Sequence, residues 1–184
     1  MTQETPETNP RLSRWFDFIR TALLPATSLL EHHTPAALEL WSVLSLLPIE
    51  RRFALYGEWK DSLYRRIPAL AVRKAEAERD VKSILRRLST ENVKQLGKTF
   101  AKIAHTNPTI IFAVALNQVQ SYDNLIVPVV DAARYLTELG YDVLTYSLLD
   151  ALSSGKSKTK EDGTSVALWL QGASSCARAL SLPS

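Results

Sequence analysis

Between Asn107 and Asp131 the chain spells out a helix, a turn and a second helix, and this pattern leaves little room for a sheet. Asn107 has the side-chain oxygen of a helix N-cap, able to accept from an orphan backbone N–H. Pro108 suits the first helical position, where φ is already set and no N–H is needed. The apolar run Ile110 to Leu116 predicts a first helix buried on most sides. Ser121 to Asn124 supplies four polar residues for a turn. A second helix is expected over about 125–139, with Gly140 as its left-handed terminator. No residue in this stretch carries obvious chemistry.

The same logic extends along the chain. Residues 1–10 carry too few apolar groups to offset the entropy of ordering, so a disordered leader is expected. Leu12, Trp15, Phe16, Ile19 and Leu23 recur at helical spacing, with Pro25 kinking or ending that helix. Thr34 and Pro35 open a helix that should turn Leu38, Trp41, Leu44 and Leu47 inward. Pro48 starts another, with Phe53, Tyr56 and Trp59 as an aromatic face. Pro68 opens a long helix to about Leu88. Ser89 and Asn92 then stand at capping-box spacing, ahead of a helix carrying Val93, Leu96, Phe100 and Ile103. Helices are predicted at 108–120, 125–139 and 141–152, then a linker over 153–164 and a last helix over 165–180. Trp41, Phe53, Tyr56, Trp59, Phe100, Phe112, Leu116, Val130, Tyr135, Leu144, Leu148 and Trp169 form the expected core.

No segment reads as a strand. Pro128 interrupts the β-branched cluster around Ile126 and Val130. The expected class is all-α: about eight or nine helices joined by short turns into an irregular HEAT-like antiparallel array, without an exact internal repeat. The helix carrying Val166, Trp169, Leu170 and Leu180 would be left with an uncovered apolar side. No stretch approaches the run of about 18 apolar residues that spans a bilayer, so no membrane partner is expected. A single cysteine, Cys176, excludes an internal disulfide.

Charge is unevenly placed. Residues 51–102 hold 14 Lys and Arg against 6 Asp and Glu, whereas both flanks are net acidic. Arg73, Lys74, Arg79, Lys82, Arg86, Arg87, Lys94 and Lys98 would populate the polar faces of two consecutive helices. Such a surface attracts phosphate, because neutralised phosphates release condensed counterions. A solvated helix face, or a site for an acidic partner, explains the same residues, and Glu76, Glu78, Asp80 and Glu91 are interleaved with them. Phe100 and Trp59 have core spacing and offer no exposed stacking platform.

Motifs for catalysis fail on geometry. Gly155-Lys156-Ser157 imitates the end of a phosphate loop, but Asp150 stands where a glycine is required and no strand precedes it. His32 and His33 are adjacent, so on a helix they point roughly 100° apart and cannot share a metal. His105 fits a helix end. No catalytic residue, metal site or cofactor is expected.

Several segments together resemble the THO complex subunit 2 family. They are Arg52 to Lys60, Arg87 to Lys94, Tyr122 to Asp131 (Tyr-Asp-Asn-Leu-Ile-Val-Pro-Val-Val-Asp), Leu139 to Leu144 and Ser165 to Gln171. They fall in the family's order over roughly residues 40–175. Ala113 to Asn117 departs from its bulkier, more polar pattern, and members of the family are many times longer. The resemblance implies a non-enzymatic helical scaffold of the transcription–export machinery, nuclear location, and a role in messenger RNA processing and export. Its implied partners are other THO complex subunits and a DEAD-box RNA-dependent ATPase. It also implies that residues 11–106 form one helical segment and that 107–184 begin a HEAT-like middle-type domain. The alternative read from charge is a module that binds RNA or DNA directly through residues 51–102.

Overall fold

The structure is a computed structural model that describes residues 10–31 and 33–153. Eight helices account for most of them, and no strand occurs among the described residues. Helix α1 covers 10–29 in three continuous pieces, Pro10–Phe18, a π-helical turn Ile19–Leu23, and Leu24–Leu29. Helix α2 is Thr34–Leu44. Helix α3 covers 49–66, with a π-helical turn at Trp59–Leu63. Helices α4 (Pro68–Leu85), α5 (Val93–Ala104) and α6 (Pro108–Ser121) follow. A 3-10 turn at Asp123–Leu125 leads into α7 (Ile126–Ala133), and α8 is Glu138–Ser153.

Pro25 does not end α1. The π-turn immediately before it bonds Leu24 N–H to the carbonyl of Ile19, five residues back. That widened turn relaxes the ladder where the proline ring lacks a donor and crowds the preceding turn. His33 rather than Thr34 caps α2, its Nδ1 accepting from Ala36 N–H at 3.1 Å. Asn92 performs one half of a capping box, accepting from Ser89 N–H at 2.8 Å and donating to the carbonyl of Arg87 at 2.6 Å. The helix it precedes nevertheless starts only at Val93.

Helix α6 occupies the middle of the fold and packs against α4, α5, α8 and the π-turn of α3. Its apolar run explains this placement: Ile110, Ile111, Phe112, Val114, Ala115, Leu116 and Val119 are all buried. A helix apolar on every side is stable only when surrounded. Helix α5 lies against α7, and the approach is closest at Gly97. A Cβ there would stand 3.1 Å from both the Ala132 Cα and the Tyr135 ring.

The all-helical class read from the sequence holds. Packing is not confined to sequence neighbours, however: α1 reaches α4, and α8 returns to α2 and α3. A stack in which each unit touches only the next would lack these closures. Two ion pairs fasten the return, each between residues 90 apart. Arg52 grips Asp142 with Nε and Nη2 at 2.8 and 3.1 Å, and Lys60 Nζ meets Asp150 at 2.6 Å.

Three readings need correction. The helix expected over 125–139 ends at Ala133, and Gly140 lies inside the first turn of α8. Thr137 Oγ1 accepts from Gly140 N–H at 3.3 Å, and Tyr141 donates to the carbonyl of Ala133 at 2.6 Å, so local polar bonds close one helix and open the next. Leu38 is not inward but 50% exposed, because Ala37, Leu40, Trp41 and Leu44 already fill the face turned to the core. Asn107 does stand at the N-cap of α6, yet its side chain caps nothing. Of the expected core, Tyr56, Trp59, Phe100, Phe112, Leu116 and Leu144 are buried. Trp41, Phe53, Val130, Tyr135 and Leu148 are partly covered. Trp169, Cys176, the helix over 165–180, residues 1–9 of the leader and all but Ser153 of the linker lie outside the described residues.

Candidate interaction surface

Several polar side chains of the interior hold helices together. Trp59 donates from Nε1 to Ser28 Oγ at 2.7 Å, and Ser28 Oγ lies 3.2 Å from the Tyr64 hydroxyl. Tyr64 donates to Asn107 Oδ1 at 3.0 Å, and Asn107 Nδ2 donates to the carbonyl of Ser28 at 3.3 Å. This closed seam joins α1, α3 and the start of α6, and it is why Asn107 is unavailable as a cap. Burial pushes the Tyr64 phenol up to about 12, against hydrogen bonds that act in the other direction.

A second seam centres on Asp142. Besides Arg52, it accepts from the Tyr56 hydroxyl at 2.8 Å. Arg52 also donates to the carbonyl of Leu47 at 2.7 Å and lies over the Trp41 ring at 5.5 Å. The hydrogen bonds it donates to Asp142 raise the Arg52 guanidinium above its usual range, outweighing desolvation. Burial, reinforced by the Asp142 charge, holds the Tyr56 phenol far above its ordinary value. A carboxylate, a guanidinium and a phenol so arranged form a rigid clamp with the charge satisfied. Among the described residues, no group of three or more His, Cys, Asp or Glu could hold a metal. No helix there is long and apolar enough to cross a membrane.

The candidate cations divide into two sets. Along most of α4 they face carboxylates. Arg73 bonds Glu76 at 2.8 Å and Glu31 at 3.4 Å, and Arg79 meets Asp80 at 3.2 Å. Lys74 and Lys82 flank Glu78, each at 3.9 Å. A 190 Å³ cleft beside Arg73 is lined by Glu31, Glu76 and Asp80 as well as by Arg73 and Arg79, a mixed surface with little pull on phosphate. From Arg86 onward the ion pairs stop, although Glu91 lies among these residues in sequence. Arg87 folds back on its own helix, donating to the carbonyl of Ser83 at 3.1 Å. Arg86, Lys94, Lys98 and Lys102 are exposed and no carboxylate reaches them among the described residues. Lys94, Lys98 and Lys102 follow one another at four-residue spacing, which sets them along one side of α5. Lys98 Nζ stands 5.9 Å from the centre of the Tyr135 ring.

Sequence reasoning missed a cleft of 360 Å³ that Arg86 helps to line. Lys82 and Arg86 of α4 form one wall, and Gln118, Tyr122 and Asn124 from the end of α6 and its turn form the other, with Leu85 and Leu125 between. Tyr122 is 56% exposed. Its position at the last polar turn of a buried helix was the available signal.

Comparison with known proteins follows this helical layout. A family model described as "THO complex subunit 2 N-terminus" matches residues 1–98, more than half of the chain. The chain belongs to the THO complex subunit 2 family. A second model, "Transcription- and export-related complex subunit", matches residues 100–174. THO complex subunit 2 of Homo sapiens is 40% identical over 174 residues, covering 94% of this chain and 11% of the human protein. The Arabidopsis thaliana protein of that name is 44% identical over 157 residues, covering 84% of this chain and 8% of its own length. That of Saccharomyces cerevisiae is 34% identical over 160 residues, covering 87% and 10%. The chain thus spans about a tenth of the length of these THO complex subunit 2 proteins.

Proposed function

We propose that the chain is a non-enzymatic helical part of a THO complex scaffold, acting in the nucleus where transcription is coupled to messenger RNA processing and export. Family membership along nearly the whole chain carries this reading. It is supported by an interior whose polar groups serve packing, and by apolar side chains such as Leu12, Trp15 and Phe18 left outside that packing. The partners on this reading are other THO complex subunits and a DEAD-box RNA-dependent ATPase. The division into a helical segment over 11–106 and the start of a middle-type domain from 107 belongs to the same proposal. Co-expression of the chain with each THO subunit and with the ATPase, followed by size-exclusion chromatography, tests it. Stable co-elution with at least one THO subunit is expected. Failure to associate with any of them would overturn the scaffold reading.

A second reading, direct binding of RNA or DNA, is favoured by one observation: Arg86, Lys94, Lys98 and Lys102 have no carboxylate partner among the described residues. The surface on this reading is narrower than the eight residues singled out from sequence, since Arg73, Lys74 and Arg79 are paired locally. Polarisation of a labelled single strand over a salt series is the measurement. Affinity should fall steeply with salt, with a slope set by the number of phosphates neutralised. No binding at low salt would remove this reading.

A further inference from the structure

We infer that the cleft between the end of α4 and the α6–α7 turn is a single-stranded nucleic-acid site, in which Tyr122 stacks on a base and Arg86 and Lys82 hold the flanking phosphates. This rests on the second reading above and gives it a location. Three observations converge. Tyr122 is the aromatic ring most suited to stacking here: it caps the end of α6 through its backbone N–H, bonded to the carbonyl of Gln118 at 2.9 Å, while its ring faces outward. The backbone is therefore anchored and the ring is presented, which is the arrangement a stacking platform needs. Arg86 lines the same cleft with no bond to its guanidinium among the described residues, in contrast to Arg87, whose guanidinium is engaged on Ser83. Lys82 sits 3.9 Å from Glu78, at the outer limit of an ion pair, and can turn to a phosphate at little loss. Asn124, exposed on the same rim, adds an amide able to donate to and accept from a base edge.

An acidic protein segment would use the two cations but gains little from an exposed ring beside an amide. A base followed by a phosphate uses all four groups. The volume of the cleft, 360 Å³, is of the size that takes one nucleotide rather than a duplex. Stacking accepts any base, so the strand should be bound with little sequence preference.

The test is fluorescence polarisation of the 184-residue chain with labelled oligouridylate and with oligothymidylate of equal length, from low to physiological salt. Tyr122→Ala should weaken binding about ten-fold or more, while Tyr122→Phe stays within about two-fold of the unmodified chain. Arg86→Gln should weaken it several-fold and lower the salt slope by about one. Lys74→Gln, on the paired part of α4, should change affinity less than two-fold (about the limit of the assay). All these positions are exposed or partly so, and far-ultraviolet circular dichroism confirms that each variant keeps its helices. Oligouridylate bound more tightly than oligothymidylate assigns the site to RNA, and equal binding assigns it to single strands of either kind. Binding that survives Tyr122→Ala and Arg86→Gln but is lost in Lys94→Gln/Lys98→Gln overturns the cleft and leaves the second reading standing. Absence of binding by the unmodified chain overturns both. Loss of a polyglutamate ligand, but not of RNA, in the Tyr122 and Arg86 variants would overturn the strand assignment in favour of an acidic protein segment.

Discussion

The two ends of α1 show the same helical spacing and opposite fates. Beyond the π-turn, Leu24, Pro25, Thr27 and Ser28 are buried, and Ser28 accepts the Trp59 indole. Before it, no residue of Pro10–Phe18 is buried, and Trp15 is 63% exposed, its ring 6.0 Å from that of Phe18. Both ends carry apolar residues at helical intervals. The difference comes from what surrounds them: α3 and α4 close on the second end, whereas on the first, among the described residues, only Phe16 packs against the core. Apolar periodicity establishes that a helix has a face; it does not establish that the face is covered.

The sharpest way to test this contrast is to delete an aromatic ring at each end: the α3 indole that packs on the covered end, and Trp15 on the other. Trp59→Ala removes a fully buried indole and leaves Ser28 with one partner fewer, so a loss of about 3–5 kcal/mol is expected. Calorimetry should register a fall in Tm of roughly 6–20 °C, taking about 2–4 °C per kcal/mol for a chain of this size. An unchanged melt would dissolve the distinction between the ends. Asn107→Ala should follow, at about 1–3 kcal/mol, because the Tyr64 hydroxyl and the Ser28 carbonyl each lose a buried partner. If urea midpoints show the variant as stable as the parent, the seam contributes nothing net.

The next effect is one of pH. Tyr64 ionises near 12 in the fold and near 10 when unfolded. Below pH 10 both forms keep the proton and stability is flat on this account. Between 10 and 12 only the unfolded chain releases it, so stability falls as pH rises. Tyr64→Phe should make that part of the stability curve less steep, as read from urea midpoints between pH 9 and 11, while the raised Tyr56 and Tyr146 phenols keep part of the slope. A curve equally steep without the phenol would assign the loss to other groups. The smallest effect belongs to the exposed end: Trp15→Ala should shift stability by no more than about 0.5 kcal/mol. A larger loss in the isolated chain would mean that something covers that face after all.

Most elements were legible because prolines and apolar intervals are local signals. Pro35, Pro68 and Pro108 each stand at the start of a helix, and the crowded apolar run of α6 foretold its central place. What failed depended on distant partners. Asn107 has the right type and position for a cap, but its amide is drawn to Ser28, 79 residues away. The sequence offers no sign of that pairing. Gly140 looked like a terminator because Thr137, three residues before it, was not weighed as the opening of a new helix. The basic surface was partly misjudged for a reason that was visible: Lys74, Glu78 and Lys82 stand at four-residue spacing, where opposite charges meet on one helix face. Tyr122 reads in sequence only as part of a polar turn, and only the fold brings its exposed ring beside Lys82 and Arg86.

The Arg52–Asp142 and Lys60–Asp150 bonds also bear on how the chain is made. A ribosome releases α2 and α3 long before α8, because each bond waits for 90 further residues. At about 5–20 residues per second, that interval lasts roughly 5–18 s. During it the Trp41 and Tyr56 side of the nascent chain stands open and Arg52 lacks its carboxylate. The early helices therefore emerge with that side uncovered, and a pause in translation before Asp142 would prolong the exposure in direct proportion.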